Sequence, residues 1–286
     1  MKVLILGGGQ VAGAAHRTAP GNHQVTLLPR SKLDITDAEA VREAVEAFKP
    51  HWIVNAAAYT AVDMAEDEPA AATAANDTAL VHLSHAADAA GSRLLHLSTD
   101  FVFDGAAGRP YASTDAPNPL SVYGSSKLAG ERHVLGFAGG TVVRTSWVYA
   151  SSGRNFVLTM LRLMREKPRL TVVSDQVGSP TWATGLAGAI WSFVDDAPPA
   201  GLYHWTDLGV ASWYDFAVAI QEEALERGLL QQSIPIAPIA SAQYPAKARR
   251  PAYSVLDTGA TRAVLKASAQ HWRHNLRMML DELRTA

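Results

Sequence analysis

Short apolar runs alternate with longer helical patterns through the first half of the chain, and this alternation limits the possible folds more than any other feature. Runs at 2–6, 24–28, 52–55, 93–97 and 141–144 have the length and unbroken hydrophobicity of strands buried on both faces. Between them the spacing predicts helices over 10–18, 37–48, 69–90 and 122–137. Such crossovers are right-handed, so the strands run parallel and helices cover both faces. The expected class is α/β: a Rossmann-type doubly wound parallel sheet with a smaller C-terminal α/β substrate domain.

The pattern changes after Tyr149. Helices are predicted over 156–165, 182–194, 212–227 and 272–284, and a strand over 170–173. Residues 234–251 carry four prolines and little periodicity, which reads as an extended segment around a site. Residues 1–150 are therefore assigned to the nucleotide-binding domain, with about 181–207 returning to it, and 151–286 mainly to substrate.

Composition narrows the partners. A chain of 286 residues, 48% apolar, buries a sizeable core. A net charge of -2 gives no reason to expect nucleic acid or a membrane surface. No apolar run reaches the ~20 residues that span a bilayer. The first residues lead straight into a strand without a signal-peptide cleavage region. With no Cys there is no disulfide framework and no thiol nucleophile. A cytoplasmic protein is expected.

In a parallel sheet, ligands bind beyond the C-terminal strand ends. Several polar motifs fall there. Gly7-Gly-Gly9-Gln10-Val11-Ala12 follows the first strand and opens the first helix. Glycines at this junction permit a tight turn and bring a pyrophosphate against the helix N-terminal amides. An NAD enzyme commonly ends its second strand with a carboxylate for the ribose 2′-hydroxyl. Here that strand ends in Leu28-Pro-Arg30-Ser-Lys32, which favours a 2′-phosphate and NADPH. A solvated basic loop is the competing reading. Asp34 and Ile35 lie where the adenine would rest.

The chemistry is carried by Tyr123 and Lys127, four apart at the start of a predicted helix, and by Ser98-Thr99 at the end of the fourth strand. Residues i and i+4 share a helix face. A cation beside a phenol brings its pKa down from ~10 toward neutrality. Such a phenol can protonate a carbonyl oxygen while hydride reaches the carbon, with acid help worth roughly a hundred- to ten-thousand-fold. The hydroxyl of Thr99 or Ser98 can hold the same oxygen.

These motifs, with Leu33-Asp-Ile-Thr36, Val54-Asn-Ala-Ala-Ala-Tyr-Thr-Ala-Val-Asp63, Ser98-Thr-Asp-Phe-Val-Phe-Asp-Gly105, Tyr123-Gly-Ser-Ser-Lys-Leu-Ala-Gly-Glu131, Arg144-Thr-Ser-Trp-Val-Tyr149 and Asp175-Gln-Val-Gly-Ser-Pro-Thr181, closely resemble the dTDP-4-dehydrorhamnose reductases. These are extended short-chain dehydrogenase/reductases. The resemblance runs in order along nearly the whole chain. It implies reduction of the 4-keto group of a dTDP-6-deoxy sugar by NADPH or NADH, giving dTDP-L-rhamnose. It makes Thr99, Tyr123 and Lys127 the catalytic trio. It places Gly7, Gly9, Gln10, Val11, Arg30, Asp34, Ile35, Ala57, Ala58, Tyr59 and Thr60 along the cofactor, with Tyr123 and Lys127. Thr99, Asp100, Phe103, Trp147, Asn155 and Arg249 are implied to meet the nucleotide sugar.

Three departures from the family pattern bear on this reading. The Gly-rich turn is one residue shorter than the usual Gly-x-x-Gly-x-x-Gly. The second-strand acid is absent. Some members dimerise through Mg²⁺ held by Glu, one of them in the first helix. That helix here, Val11-Ala-Gly-Ala-Ala-His16, has no carboxylate. No metal is expected, and the protein is read as a monomer or a homodimer without a metal bridge.

A nucleotide-sugar dehydratase or epimerase and a non-catalytic binding subunit remain alternatives. Dehydratases place Glu after the active-site Asp, where this chain has Phe101; Tyr123 and Lys127 argue against the subunit. Product configuration at C4, rhamnose or 6-deoxy-talose, stays open. His96 reads as a hydrogen-bonded core residue, and His82, His85 and His204 lack metal-ligand spacing. Trp182, Trp191, Trp205 and Trp213 read as packing, and Met160, Met164, Met278 and Met279 as core.

Overall fold

The computed structural model describes residues 1–285. Strands β1 (Lys2–Leu6), β2 (Gln24–Leu28), β3 (Trp52–Asn55), β4 (Arg93–Thr99) and β5 (Gly140–Thr145) form one sheet with a sixth strand, Gly201–His204. The spatial order is β2, β1, β3, β4, β5 and then Gly201–His204, and every pairing is parallel. The chain moves outward from β1 to β2 and then crosses back to β3. The C-terminal ends of β1 and β3 therefore flank the switch point, where the crevice of such a sheet opens.

Both faces of the sheet are dry, which is why its strands read as continuous apolar runs. Val3 and Ile5 point to one face, against Ala12, Ala14 and Ala15 of α1 (Gln10–Arg17) and against helix Ala183–Asp196. Leu4 and Leu6 point to the other, against α2 (Ala38–Phe48). Burying one such side chain contributes about 1.5–3 kcal/mol. Asp37 caps α2 by accepting from the Glu39 and Ala40 amides, which settles where that helix begins.

The stretch 69–90 is not one regular helix. Following the short α3 (Val62–Ala65), α4 (Pro69–Thr73) and α5 (Ala79–Ala89) are joined by a π turn at Ala74–Thr78. The turn displaces Asn76 and its carbonyl toward α6 (Val122–Leu135). There the lack of a side chain at Gly130 is essential: a Cβ would lie 2.0 Å from the Asn76 carbonyl oxygen. No periodicity announces a π turn, because the apolar face continues through it.

A second apolar core lies beyond Tyr149. Val157, Met160, Leu161 and Met164 of helix Phe156–Glu166 pack with Phe216 and Ile220 of helix Trp213–Glu226. Trp272, Leu276, Met279 and Leu280 of the last helix, Trp272–Thr285, close it. Met278 is not core; it is 44% exposed, because neighbouring helical positions point about 100° apart. Residues 234–251 are not uniformly extended loop either. Ile236–Ile239 forms a parallel strand with Leu170–Val173. Both strands are edges of this small sheet, so Pro238 interrupts no further ladder.

Candidate active site

The first strand–helix turn has the geometry of an anion cradle. Gly7 has φ +115, and a Cβ there would lie 2.9 Å from the Ala57 amide nitrogen. Only glycine brings β1 so close to the chain leaving β3. Gly9 caps α1, and a Cβ on it would meet nothing within 4 Å, so the space before the helix is open. The first amides of α1 have no acceptor within the helix. Open space and free amides fit a dinucleotide pyrophosphate.

Gln10 faces the second core from this turn. Its Oε1 accepts from Asn155 Nδ2 at 2.9 Å, and its Nε2 donates to the Arg154 carbonyl. Asn155 caps the following helix through the Leu158 amide and also donates to the Ala150 carbonyl. Its side chain thus ties the turn to the second core. At the far end, Arg30 is solvent-exposed and pairs with Asp34 at 3.1 Å. The Asp34 carboxylate sits below its usual range, first because the Thr36 backbone and hydroxyl donate to it and then because of Arg30. Ile35 is buried in the core beneath, leaving chiefly its backbone for a ligand.

Ala57, Ala58, Tyr59 and Thr60 leave β3 along the same crevice. Asn76 pins them: Oδ1 accepts from the Tyr59 amide at 2.8 Å, and Nδ2 donates to the Tyr59 carbonyl at 3.0 Å. Nδ2 also donates to Ser126 Oγ, whose hydroxyl donates to the Tyr123 carbonyl. The π turn thereby joins the segment after β3 to α6. Sequence reading passed over Asn76, because only the π turn aims it inward.

Ser121 starts α6 by accepting from the Gly124 amide, which places Tyr123 in its first turn. The Tyr123 ring lies edge-on to Phe101, 5.6 Å between centroids. Burial pushes the phenol up to about 12; the Thr99 hydroxyl pulls it down and the Asp100 charge opposes that pull. Thr99 and Tyr123 therefore converge as expected. The hydrogen bonds of Lys127 go to β4 rather than to the phenol. Its Nζ lies 2.7 Å from the Leu97 carbonyl and 2.9 Å from His96 Nε2. A buried amine must find partners within its own pocket, and these two line β4 beneath it. Burial pushes Lys127 down to about 7, against the raising effect of Glu131. The neutral-range phenol read from the spacing is thus corrected: an i, i+4 spacing sets a shared face but not where a long side chain ends.

Burial also raises Asp100, to about 6, against hydrogen bonds from Ser254 and Thr99. Behind the site Glu131 accepts both Arg144 Nε at 2.9 Å and Nη2 at 2.6 Å, and Ser98 donates to it. Both ions are 2% exposed. Removing one partner from such a pair costs about 3–5 kcal/mol, because the other charge is left buried alone.

The sugar-side residues divide. Trp147 has φ +49, unusual for a bulky residue, and stacks flat on Trp213. Its indole lies where a side chain on Gly178 would stand. Phe103 is no ligand contact: it is fully buried, stacked on Tyr111 at 4.1 Å and covered by the Arg144 guanidinium. It follows the 3-10 turn Asp100–Val102, whose redirection of the chain after β4 the sequence pattern does not show. Arg249 is exposed, whereas Arg250 anchors the segment through two bonds to Asp63, 2.7 and 3.1 Å. Asn55 and Trp213 were not assigned to the site from sequence. A polar residue ending an apolar strand was the available signal for Asn55.

The RmlD substrate binding domain family matches residues 1–285. A dTDP-4-dehydrorhamnose reductase from Aggregatibacter actinomycetemcomitans is 39% identical, the match covering 96% of this chain and 97% of that one. The chain belongs to the dTDP-4-dehydrorhamnose reductase family. The crystal structure of a reductase of this name from Clostridium acetobutylicum superposes with a TM-score of 0.93 at 36% identity, over 99% of this chain and all of the other. That of the Bacillus anthracis reductase, in complex with NADP, also has a TM-score of 0.93, at 32% identity, covering 98% and 99%. Membership in this reductase family makes the chain an NAD(P)H-dependent oxidoreductase.

Proposed function

We infer that the protein reduces the 4-keto group of a dTDP-4-keto-6-deoxy sugar, converting dTDP-4-dehydrorhamnose to dTDP-L-rhamnose. The single observation that carries this reading is the buried pair Thr99 and Tyr123, set at the end of β4 and the start of α6 beside the crevice of a dinucleotide-type sheet. A bound NADPH or NADH supplies hydride to the carbonyl carbon. Tyr123 donates its proton to the carbonyl oxygen, and the Thr99 hydroxyl donates to that oxygen as charge builds on it. The phenolate left behind recovers a proton from solvent, so one hydride and one proton turn C=O into CH–OH. A phenol at about 12 is a reluctant acid. Lys127, on the same face of α6, is the group that lowers it once its charge faces the ring.

The remaining roles follow position. Gly7, Gly9, Gln10 and Val11 receive the pyrophosphate. Arg30, Asp34 and Ile35 meet the adenosine end. Ala57, Ala58, Tyr59 and Thr60 run beneath the nicotinamide half. Asp100, Trp147, Asn155 and Arg249 border the nucleotide sugar. Such a charged substrate does not cross membranes, which fits a cytoplasmic enzyme. We read it as a monomer or a homodimer without a bridging metal.

The test is NMR of the product after incubation with dTDP-4-dehydrorhamnose and NADPH. The expected result is one equivalent of NADPH oxidised per new CH–OH at C4, in the rhamno configuration. Absence of NADPH oxidation overturns the reading, and a talo product reassigns the sugar face.

A further inference from the structure

Gln10 is the first residue of α1, and Asn155 caps helix Phe156–Glu166. Their side chains meet between the glycine turn and the second core, and one backbone group settles how. The Leu158 amide donates to Asn155 Oδ1 at 3.0 Å. An amide N–H cannot accept, so that end of the side chain is oxygen and the other is Nδ2. Nδ2 donates to the Ala150 carbonyl at 2.8 Å and to Gln10 Oε1 at 2.9 Å. With Oε1 accepting, Gln10 presents Nε2 to the Arg154 carbonyl at 3.3 Å. Turning either amide round would set donor against donor and oxygen against oxygen. Both N–H groups of Asn155 are engaged by protein, so it borders the cleft without a donor left for a ligand.

The contact ties down the loop between them. Gly153 has φ +79, and a Cβ there would lie 3.3 Å from Gln10 Cγ, so glycine lets the loop close against Gln10. Ser151 donates to Glu282 of the last helix at 2.7 Å. Phe156, next to Asn155, packs on Trp213 with 4.7 Å between centroids, and Trp213 stacks on Trp147. A continuous line of contacts thus runs from the glycine turn through Gln10, Asn155 and Phe156 to the two indoles. The backbone amide of Gln10 is among the first four of α1, which have no acceptor within the helix. An anion held by those amides fixes the backbone of Gln10 and with it the pairing of its side chain. What one ligand has ordered, the second need not order again, and that is positive coupling.

We propose that Gln10 is a positioning residue: its side chain carries occupancy of the cofactor turn to loop 150–155 and the Trp147–Trp213 stack, so that cofactor and sugar nucleotide each tighten binding of the other. The inference rests on the reading that the pyrophosphate enters the turn before α1 and the sugar nucleotide the cleft beside Trp147.

Two variants test it. Gln10→Met keeps the length of the side chain and removes both of its bonds. Asn155→Ser keeps an oxygen for the Leu158 amide and removes the donors. Hydrogen exchange followed by mass spectrometry reads the latch without any sugar. NADPH should slow exchange over residues 150–158 of the wild type about fivefold or more, and by less than twofold in either variant. Calorimetry reads the coupling: NADPH should tighten binding of dTDP-L-rhamnose about fivefold or more in the wild type, and by less than twofold in the variants. This ratio is independent of what a substitution does to either ligand alone, so general structural damage does not imitate the result. Exchange over 150–158 that ignores NADPH in the wild type overturns the proposal. So does equal protection, or an equal ratio, in whichever variants fold. If NADPH protects the loop only when Gln10 and Asn155 are intact but dTDP-L-rhamnose does not bind, the latch stands and the assigned sugar falls.

Discussion

The indoles of Trp147 and Trp213 lie face to face, 3.5 Å between centroids and 4° apart in plane. One follows β5 and the other opens helix Trp213–Glu226, so the stack joins the catalytic sheet to the second core. Trp147 pays for this place with a left-handed backbone, φ +49. Trp213→Ala should free the Trp147 ring and loosen the sugar side of the cleft. KM for the sugar nucleotide is expected to rise about tenfold, with kcat changed less than threefold, as uniform binding loss predicts. Steady-state kinetics on the variant checks it, and a fall confined to kcat would move the stack from binding to chemistry.

Tyr123→Phe removes the acid and leaves the ring. Turnover should fall by roughly a hundredfold or more while NADPH still binds. Single-turnover rates and a fluorescence titration with NADPH separate the two effects. Near wild-type turnover would take Tyr123 out of proton transfer.

Cofactor preference should follow Arg30, exposed beside Asp34 at the end of β2. The wild type is expected to use NADPH better than NADH, and Arg30→Ala to lower that ratio about tenfold. The ratio of kcat/KM for the two cofactors decides it, and an unchanged ratio places the 2′-phosphate elsewhere.

Asp207 predicts a stability profile. Burial raises it from 3.8 to about 7, against bonds from Asn275 and the Trp182 amide. Between these values the folded protein holds a proton that the unfolded chain releases. Stability contributed by this group is therefore present below about pH 4 and lost as pH rises through 7. Asp207→Asn keeps an acceptor for the Trp182 amide and removes the charge. Urea unfolding at pH 4, 5.5 and 7 should show the variant gaining on the wild type as pH rises. A constant difference would mean that Asp207 does not titrate in this window.

Metal removal should change nothing. No group of three or more His, Asp or Glu side chains among the described residues is arranged to hold an ion. Activity and mass by light scattering are expected to be the same with and without EDTA. A mass that falls with chelator would reveal a metal-bridged dimer.

Fold and site were legible in the sequence to different depths. Strand boundaries of the sheet and the glycine turn could be read because they depend on local pattern: buried parallel strands are apolar throughout, and a tight turn needs glycine. The same held for Thr99 and Tyr123, whose separation in sequence is bridged by a strand end and a helix start. Phe103 went the other way, because the short 3-10 turn at Asp100–Val102 redirects the chain after β4 and the pattern does not say which way the next ring faces. The π turn and the inward aim of Asn76 depend on Gly130 admitting a carbonyl from another helix, a contact with no local signature. Lys127 shows the division most clearly. Its sequence position set the helix face, but its partners, His96 and the Leu97 carbonyl, were decided by β4 packed beneath it. Periodicity determines local direction; only tertiary packing determines which buried donor meets which acceptor, because that pairing is a property of the assembled interior.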